Sequence, residues 1–449
     1  MRKALVVWIC LILSFLLPVM SQAEPVILRI YGKGAAGDWD HPAFEASHPD
    51  VVVEGEERLG VENPADLATV LTTREAYDIY AVAYDMADFR AIMKKGFAYN
   101  LAEDEVIADH FYKMYPFLQE ALSEGGKVYG VPISLESFHW GCDLSVWERV
   151  FFQGRPLPRT YDELLDLIQW WMDEGQALHP DVLLAKGTED IQRSILDQVM
   201  ADILFTYPRD VLPVSSVQAL LERMVSMDFH QLQPLVMEEG EEGSFLLDTM
   251  WNWMQLETYA DDPVCTPLPL AIEAGYSAKV SAQMRIFFIN PSSHHIQEAL
   301  AYIATFLQNQ GEVYRILTQP GSYDSVENIY VRSAVEERNA AILDWKEKAS
   351  KKIVDERSAS DTISILEGEI LSLERGKYLV SQETIAAYQS LTNHLLVQGY
   401  SPLLGNGRQE EILHQMVDAL QSGQLSADAF LEKLTDLIEK IALENASST

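Results

Sequence analysis

Short apolar runs bounded by turn residues alternate along this chain with stretches whose apolar positions recur every three or four residues, the pattern of strands exchanging with helices. Val26 to Tyr31 (VILRIY) predicts a strand, Pro42 to Ser47 part of a helix, and Val51 to Glu54 a second strand. Asp78 to Val82 predicts another strand, ending in a loop at Tyr84-Asp85. Gly125-Gly126 forms a turn before a segment that alternates through Val128, Val131, Ile133 and Leu135. Within it, Pro132 has no N–H to give a ladder, which favours an edge or crossover strand. Thr160 with Glu163 three residues on is a capping box, each side chain satisfying an otherwise orphaned backbone N–H, so a helix starts there. Met284 to Ile289 (MRIFFI) reads as a buried strand, Asn290 to Ser293 as a turn, and Ile296 to Leu307 as a helix. Alternating strands and helices imply parallel-rich sheets, whose ligands bind beyond the carboxyl ends of the strands.

From about Ser333 the pattern turns mostly helical. Residues 334–374 are charge-rich and predict a surface helix pair or an insertion. Ser426 caps a last helix whose Phe430, Leu431, Leu434, Leu437, Ile438 and Ile441 form one apolar stripe, the signature of packing. The chain shows no internal repeat and no long low-complexity linker.

The N-terminus adds an address. Arg2 and Lys3 precede a nearly unbroken apolar run from Ala4 to Leu17, and Ser21-Gln22-Ala23 supplies small residues at the two positions that signal peptidase reads. Residues 1–23 are therefore expected to be a signal peptide cleaved after Ala23, since the run falls short of the roughly 20 apolar residues that span a bilayer. Cys10 lies inside the run, so no lipoprotein cysteine is offered. The protein is expected to be exported, to the periplasm or cell surface.

Charge narrows the partners. Against 33 Lys+Arg stand 68 Asp+Glu, a net charge of −35, which argues against nucleic acid and favours an uncharged or cationic ligand. Of three cysteines, Cys142 and Cys265 survive cleavage and could hold one disulfide, two buried thiols being the open alternative. A length of 449 residues with 48% hydrophobic content suffices for two cores.

Five motifs in order resemble those of bacterial extracellular solute-binding proteins of family 1, the maltodextrin-binding-like components of ABC importers. Phe44-Glu45 and His48-Pro49-Asp50 with Val51 to Glu54 are similar to the family's opening; Asp78-Ile79-Tyr80, Tyr84-Asp85, Gly96 and Leu101 to its second motif. Pro132 to Glu136 resembles the crossover between lobes, Arg159 to Leu164 the helix start that follows, and Pro267-Leu268-Pro269 with Gly275 and the strand to Ala299 the return segment. The likeness covers most of residues 26–330. It departs at Trp140-Gly141-Cys142-Asp143, where the family carries a different turn, and at Gly243 to Leu247; residues 334–374 match nothing.

The resemblance implies a type II periplasmic-binding-protein-like α/β fold, two lobes joined by a hinge with a helical C-terminal region. The expected lobes are 26–131 plus about 268–318, and 132–267 plus about 319–449. It further implies a monomer that closes on a small solute, a carbohydrate first, and delivers it to ABC permease subunits, with no catalysis, cofactor or metal. Sugar recognition needs flat aromatic faces and hydrogen-bonding carboxylates. Candidates are Asp38 and Trp39 after the first strand, Tyr84 and Asp85 after the strand 78–82, Glu136 at the crossover, and Trp251 and Trp253 in a segment resembling the family's cleft tryptophans. Glu136 is the foremost carboxylate, and Trp251 is favoured over Trp253, because alternate residues of an extended segment face opposite ways.

Other readings are weaker. A sensor acting on a membrane receptor could use the same clamp, and a secreted glycoside hydrolase would need two acids facing each other across the cleft. Gly32 to Gly37 matches a dinucleotide-binding pattern after a strand, but Asp38 to Pro42 interrupts the helix that should receive a pyrophosphate, so a glycine-rich ligand loop is expected. His294-His295 are neighbours that a helix would point about 100° apart, poor geometry for one metal.

Overall fold

The structure is a computed structural model, and it describes residues 25–32, 41–56, 64–72, 77–152, 154–186, 190–206, 213–232, 244–251, 265–401, 403 and 407–447. The expected signal peptide, Asp38, Trp39 and Trp253 lie outside them. In chain order the strands are β1 (Val26–Tyr31), β2 (Val51–Glu56), β3 (Ile79–Ala83), β4 (Ser123–Glu124), β5 (Lys127–Val128), β6 (Val131–Cys142), β7 (Val182–Lys186), β8 (Ser244–Trp251), β9 (Thr266–Leu268), β10 (Val280–Ile289), β11 (Val326–Glu327), β12 (Tyr378–Val380) and β13 (Leu395–Val397).

Nine of these strands form one sheet in the order β2-β1-β3-β10-β6-β8-β7, with β13 also on β10 and β9 also on β6. At one end β2, β1 and β3 run parallel, and β10 enters beside β3 antiparallel. The sheet passes from one half of the molecule to the other through β6: Val131–Ser137 pairs with β10, and Phe138–Cys142 pairs with β8 and, over Trp140–Cys142, with β9. The predicted parallel-rich sheets are thus joined into one mixed sheet, because the chain crosses as extended strand.

Pro132 shows how that crossing strand accommodates a residue without an N–H. The β6–β10 register shifts between Arg285 and Ile286, opposite Ser134 and Pro132, so the proline sits at a bulge. Its carbonyl accepts a 2.7 Å hydrogen bond from the Tyr314 hydroxyl.

Two cores lie on either side of the crossing. The first gathers Leu28, Ile30, Ile79, Leu118, Phe287 and Ile303, and the second Trp140, Leu164, Ile168, Ile195, Leu221 and Phe430. Val380, Ile385, Leu391, Leu395 and Val397 pack into the first core, so residues 319–449 do not fall wholly with the second lobe as expected. The reason is β13, which adds to β10 in parallel before the chain returns to the second core at Leu403. Trp140-Gly141-Cys142 ends β6 instead of forming a turn, and Asp143 caps the next helix by accepting from the backbone N–H groups of Ser145 and Val146.

Helix Tyr161–Trp170 opens on the capping box, with one difference. The Glu163 N–H donates to Thr160 Oγ1 at 3.2 Å, but the Glu163 carboxylate accepts from the N–H of Arg159, one residue upstream of the cap, at 2.7 Å. Thr160→Ala should lower stability by about 1 kcal/mol in a urea unfolding curve, the usual effect of losing an N-cap; an unchanged curve would mean that Glu163 alone holds the helix end.

The charge-rich insertion is a helical hairpin. Helices Ile329–Ser350 and Glu356–Arg375 pack on each other and rise from the two-stranded β11–β12 root. No helix among the described residues is long and apolar enough to cross a membrane.

Candidate ligand-binding site

A cavity of about 250 Å³ opens where the chain passes between the two cores. One wall is the crossing strand itself, Glu136 to His139 of β6. The second lobe contributes Tyr161, Ser194, Gln198 and Asp202, and the return connections contribute Leu268, Leu270, Lys279, Ser281, Gln283 and Gln398. Alternation along β6 sets which residues are most open: Glu136 and Phe138 are half-buried, while Leu135, Ser137 and His139 between and beside them are buried.

Glu136 pairs across the strands with Gln283. Burial raises its carboxyl above the ordinary range; the Arg285 guanidinium opposes that shift, and the Asp85 carboxylate adds to it. Asp85, in the loop after β3, is therefore within electrostatic reach of Glu136, although it is not part of the cavity wall. Arg285 also donates to the Ala81 carbonyl at 3.4 Å, which ties the pair to β3.

Polar groups around the cavity are partly committed and partly not. The Tyr161 hydroxyl donates to Asp202 Oδ2 at 2.8 Å, and the Ser281 hydroxyl donates to Gln398 Oε1 at 3.1 Å. His139 is buried, and burial depresses its pKa to about 4, so its ring is neutral at physiological pH. Its Nδ1 lies 3.5 Å from the Ser137 hydroxyl, whereas Nε2 is buried with no hydrogen-bond partner among the described residues. The Gln198 Nε2 amide is in the same condition. Both residues line the cavity, but these two atoms are themselves buried, so the residues of the crossing strand most open to it are Glu136 and Phe138.

The remaining sequence candidates fall differently. Tyr84 is 1% exposed; its hydroxyl donates to the Ala121 carbonyl at 3.1 Å and accepts from Arg90 Nε at 3.2 Å, which places it inside the first core and not in the cavity wall. Trp251 ends β8, and its backbone pairs with that of Phe138. Sequence reasoning missed Ser137, Phe138, His139, Gln198, Gln283 and Gln398. The first three follow Glu136 directly, but mixed polar and aromatic residues break the apolar alternation that marked the strand. Gln398 joins only because β13 returns to β10, which no local pattern announces.

Cys142 and Cys265 are both buried and both reduced. Cys142 is paired in register with Thr266, the neighbour of Cys265, and burial first and the Cys265 thiol second push its own thiol pKa up. Among the described residues no group of three or more His, Cys, Asp and Glu could hold a metal ion.

No protein-family profile and no curated protein matches the chain. Solved structures do. The sugar-binding protein MalE from the phytopathogen Xanthomonas citri aligns with 94% of this chain and 98% of its own at a TM-score of 0.56 and 13% identity. The galacto-N-biose-/lacto-N-biose I-binding protein of the ABC transporter from Bifidobacterium longum, in complex with lacto-N-biose, aligns with 94% and 98% at 0.54 and 12% identity. An extracellular solute-binding protein of family 1 from Alicyclobacillus acidocaldarius aligns with 93% and 99% at 0.52 and 13% identity. The likeness is one of fold: this chain has the two-lobe α/β architecture of such binding proteins along nearly its whole length.

Proposed function

We propose that this protein captures a small polar solute, a carbohydrate, in the cavity between its two lobes and delivers it to the permease subunits of an ABC importer. The observation that carries this reading is the cavity at the crossing strands, where half-buried Glu136 and Phe138 share a wall with the polar side chains of Ser194, Gln198, Gln283 and Gln398. Sugar hydroxyls both donate and accept, so they suit a carboxylate and amides together, while Phe138 offers an apolar ring to the flat face of a pyranose. Neighbours of the same fold that bind sugars support the ligand class, and their transporter role supports the partner. The export expected from the N-terminal sequence supports a site of action outside the cytoplasm.

The hinge in this reading is the set of crossings: β6 near Ser137, the return from β9 to β10, and the segment after β13. Closure brings the second-lobe residues Gln198 and Tyr161 toward Glu136, and a ligand favours closure to the extent that it gains contacts there. Glu136, Asp85 and Trp251 are retained as binding candidates, together with Phe138, His139 and Gln198. Binding without turnover is expected, so a chromogenic glycoside panel should stay uncleaved.

A thermal-shift screen of the mature chain against mono- and oligosaccharides, amino acids, polyamines and peptides tests the proposal, because a ligand that binds only the folded state raises stability with the logarithm of saturation. A shift with one sugar class, reduced by Glu136→Gln through a loss of about 1–3 kcal/mol in binding, is the expected result. Silence across the sugars, or a shift with Glu136→Gln equal to the parent's, would remove the carbohydrate reading or the role of Glu136 respectively.

A further inference from the structure

The hairpin of helices Ile329–Ser350 and Glu356–Arg375 is poorly covered for its size. Among its described residues only Ile342 and Ala359 are fully buried, whereas Leu343 is 68%, Ile353 67%, Ile365 63% and Leu371 63% exposed. Two antiparallel helices with so thin a seam leave aliphatic surface that another helical face would cover.

Its two ends are complementary to each other. The tip carries Lys346, Lys348, Lys351 and Lys352 around exposed Ile353, against the acids Glu347 and Asp355, the second of which caps the next helix. Lys348 pairs with Asp344 and Lys351 with Glu347, while Lys346 and Lys352 hold no ion pair among the described residues. The root holds a cavity of about 190 Å³ walled by Val331 and Val335 and rimmed by Glu327, Glu336 and Glu374, with Arg332 and Lys377 also at its edge. Glu367, Leu371 and Glu374 follow at helical spacing on one face. An aliphatic knob with lysines around it at one end thus faces, at the other, an aliphatic hole whose rim carries three glutamates against Arg332 and Lys377, Arg332 being paired with Glu327. One hairpin cannot bring its own tip to its own root.

We propose that the hairpin is a dimerisation arm that packs against the same hairpin of a second copy, antiparallel about a two-fold axis, to form a four-helix bundle. At 1.5 Å per residue the first helix, of 22 residues, is about 33 Å long, so a two-fold through its middle sets each tip beside the other copy's root. Ile353 then enters the cavity between Val331 and Val335, and Lys352 meets Glu336 and Glu374. A face two helices wide, about 20 Å by 33 Å, buries about 650 Å² on each copy and about 1,300 Å² in all, within the range of specific interfaces. This departs from the monomer expected by resemblance, and the hairpin is the segment that the resemblance does not cover.

Sedimentation equilibrium of the full mature chain over a range of concentrations tests the proposal. The expected result is a reversible dimer. Leu343→Ser with Ile353→Ser should raise its dissociation constant at least about tenfold without moving the melting temperature measured at concentrations where parent and variant are both monomeric, because both side chains are exposed within one copy. Lys352→Glu and Glu374→Lys should each weaken the dimer, and the two combined in one chain should restore it, an outcome that misfolding cannot imitate. A monomer at every concentration would overturn the proposal, as would a dimer indifferent to these substitutions. So would loss of binding to vesicles containing phosphatidylglycerol in Lys352→Glu of a chain that stays monomeric, which would assign the tip to a membrane surface. The sugar thermal shift should be the same in all these variants, so this test and that of the binding site fail separately.

Discussion

Replacing Gly32 with alanine should leave little folded protein. Gly32 follows β1 with φ at +83°, a conformation that a side chain resists, and a Cβ built there would lie 2.2 Å from the Ala81 carbonyl oxygen of β3. Both partners are backbone, so neither can swing aside, and β1 with β3 forms the centre of the first lobe's sheet. The expected cost is more than about 3 kcal/mol, read as a collapse of the soluble yield or of the denaturation midpoint. Gly96→Ala is the control. It shares a positive φ, +73°, but a Cβ there meets nothing within 4 Å, so it should cost only the conformational term, about 1 kcal/mol. Equal losses in the two variants would show that conformation alone, and not the close approach to Ala81, governs Gly32.

Acidification should destabilise the protein well before its carboxylates are protonated. His139 is buried, and its pKa in the folded chain is depressed from 6.5 to about 4, so the unfolded chain binds the proton more readily. Stability from this group is complete above pH 6.5 and is lost as pH falls through that window toward 4, reaching about 3 kcal/mol in all. His110, half-buried and stacked on Tyr314, is depressed to about 4 by burial and acts in the same direction with smaller weight. Glu136 acts oppositely: burial raises its carboxyl, so protonation favours the fold at the acid end of the window. Melting temperatures measured from pH 7.5 to 4.5 should fall steeply below about pH 6.5, and His139→Gln should flatten the decline. An unaltered slope in that variant would mean that protonation is absorbed elsewhere.

The glutamate at position 136 illustrates how far local pattern reaches into the site. A carboxylate that follows an alternating apolar strand is either solvated or used, and the structure sets it half-buried in the cavity wall. Tyr84 shows the same kind of pattern, a residue at the end of a strand, yet its ring and hydroxyl are spent inside the first lobe. What separates the two is the neighbour across space: β10 and the cavity beside Glu136, the helix Pro116–Leu122 against Tyr84. Strand-end position sets where a residue is along the chain and says nothing of which element covers it.

By itself, then, the sequence determined many of the elements and the order in which they follow one another. Periods of two and of three to four, the glycine turn at Gly125-Gly126, the caps at Thr160 and Ser426 and the helical insertion are all local, fixed by backbone sterics and by hydrogen bonds between residues a few positions apart. Tertiary structure alone decided that β6 crosses between cores as one unbroken strand, that β13 returns to the first lobe, and that His139, Gln198 and Gln398 meet around one cavity. Those outcomes depend on burial shared among segments far apart in the chain, such as those of Glu136 and Gln398. The free energy of such burial belongs to the packed whole, and no window of neighbouring residues contains it.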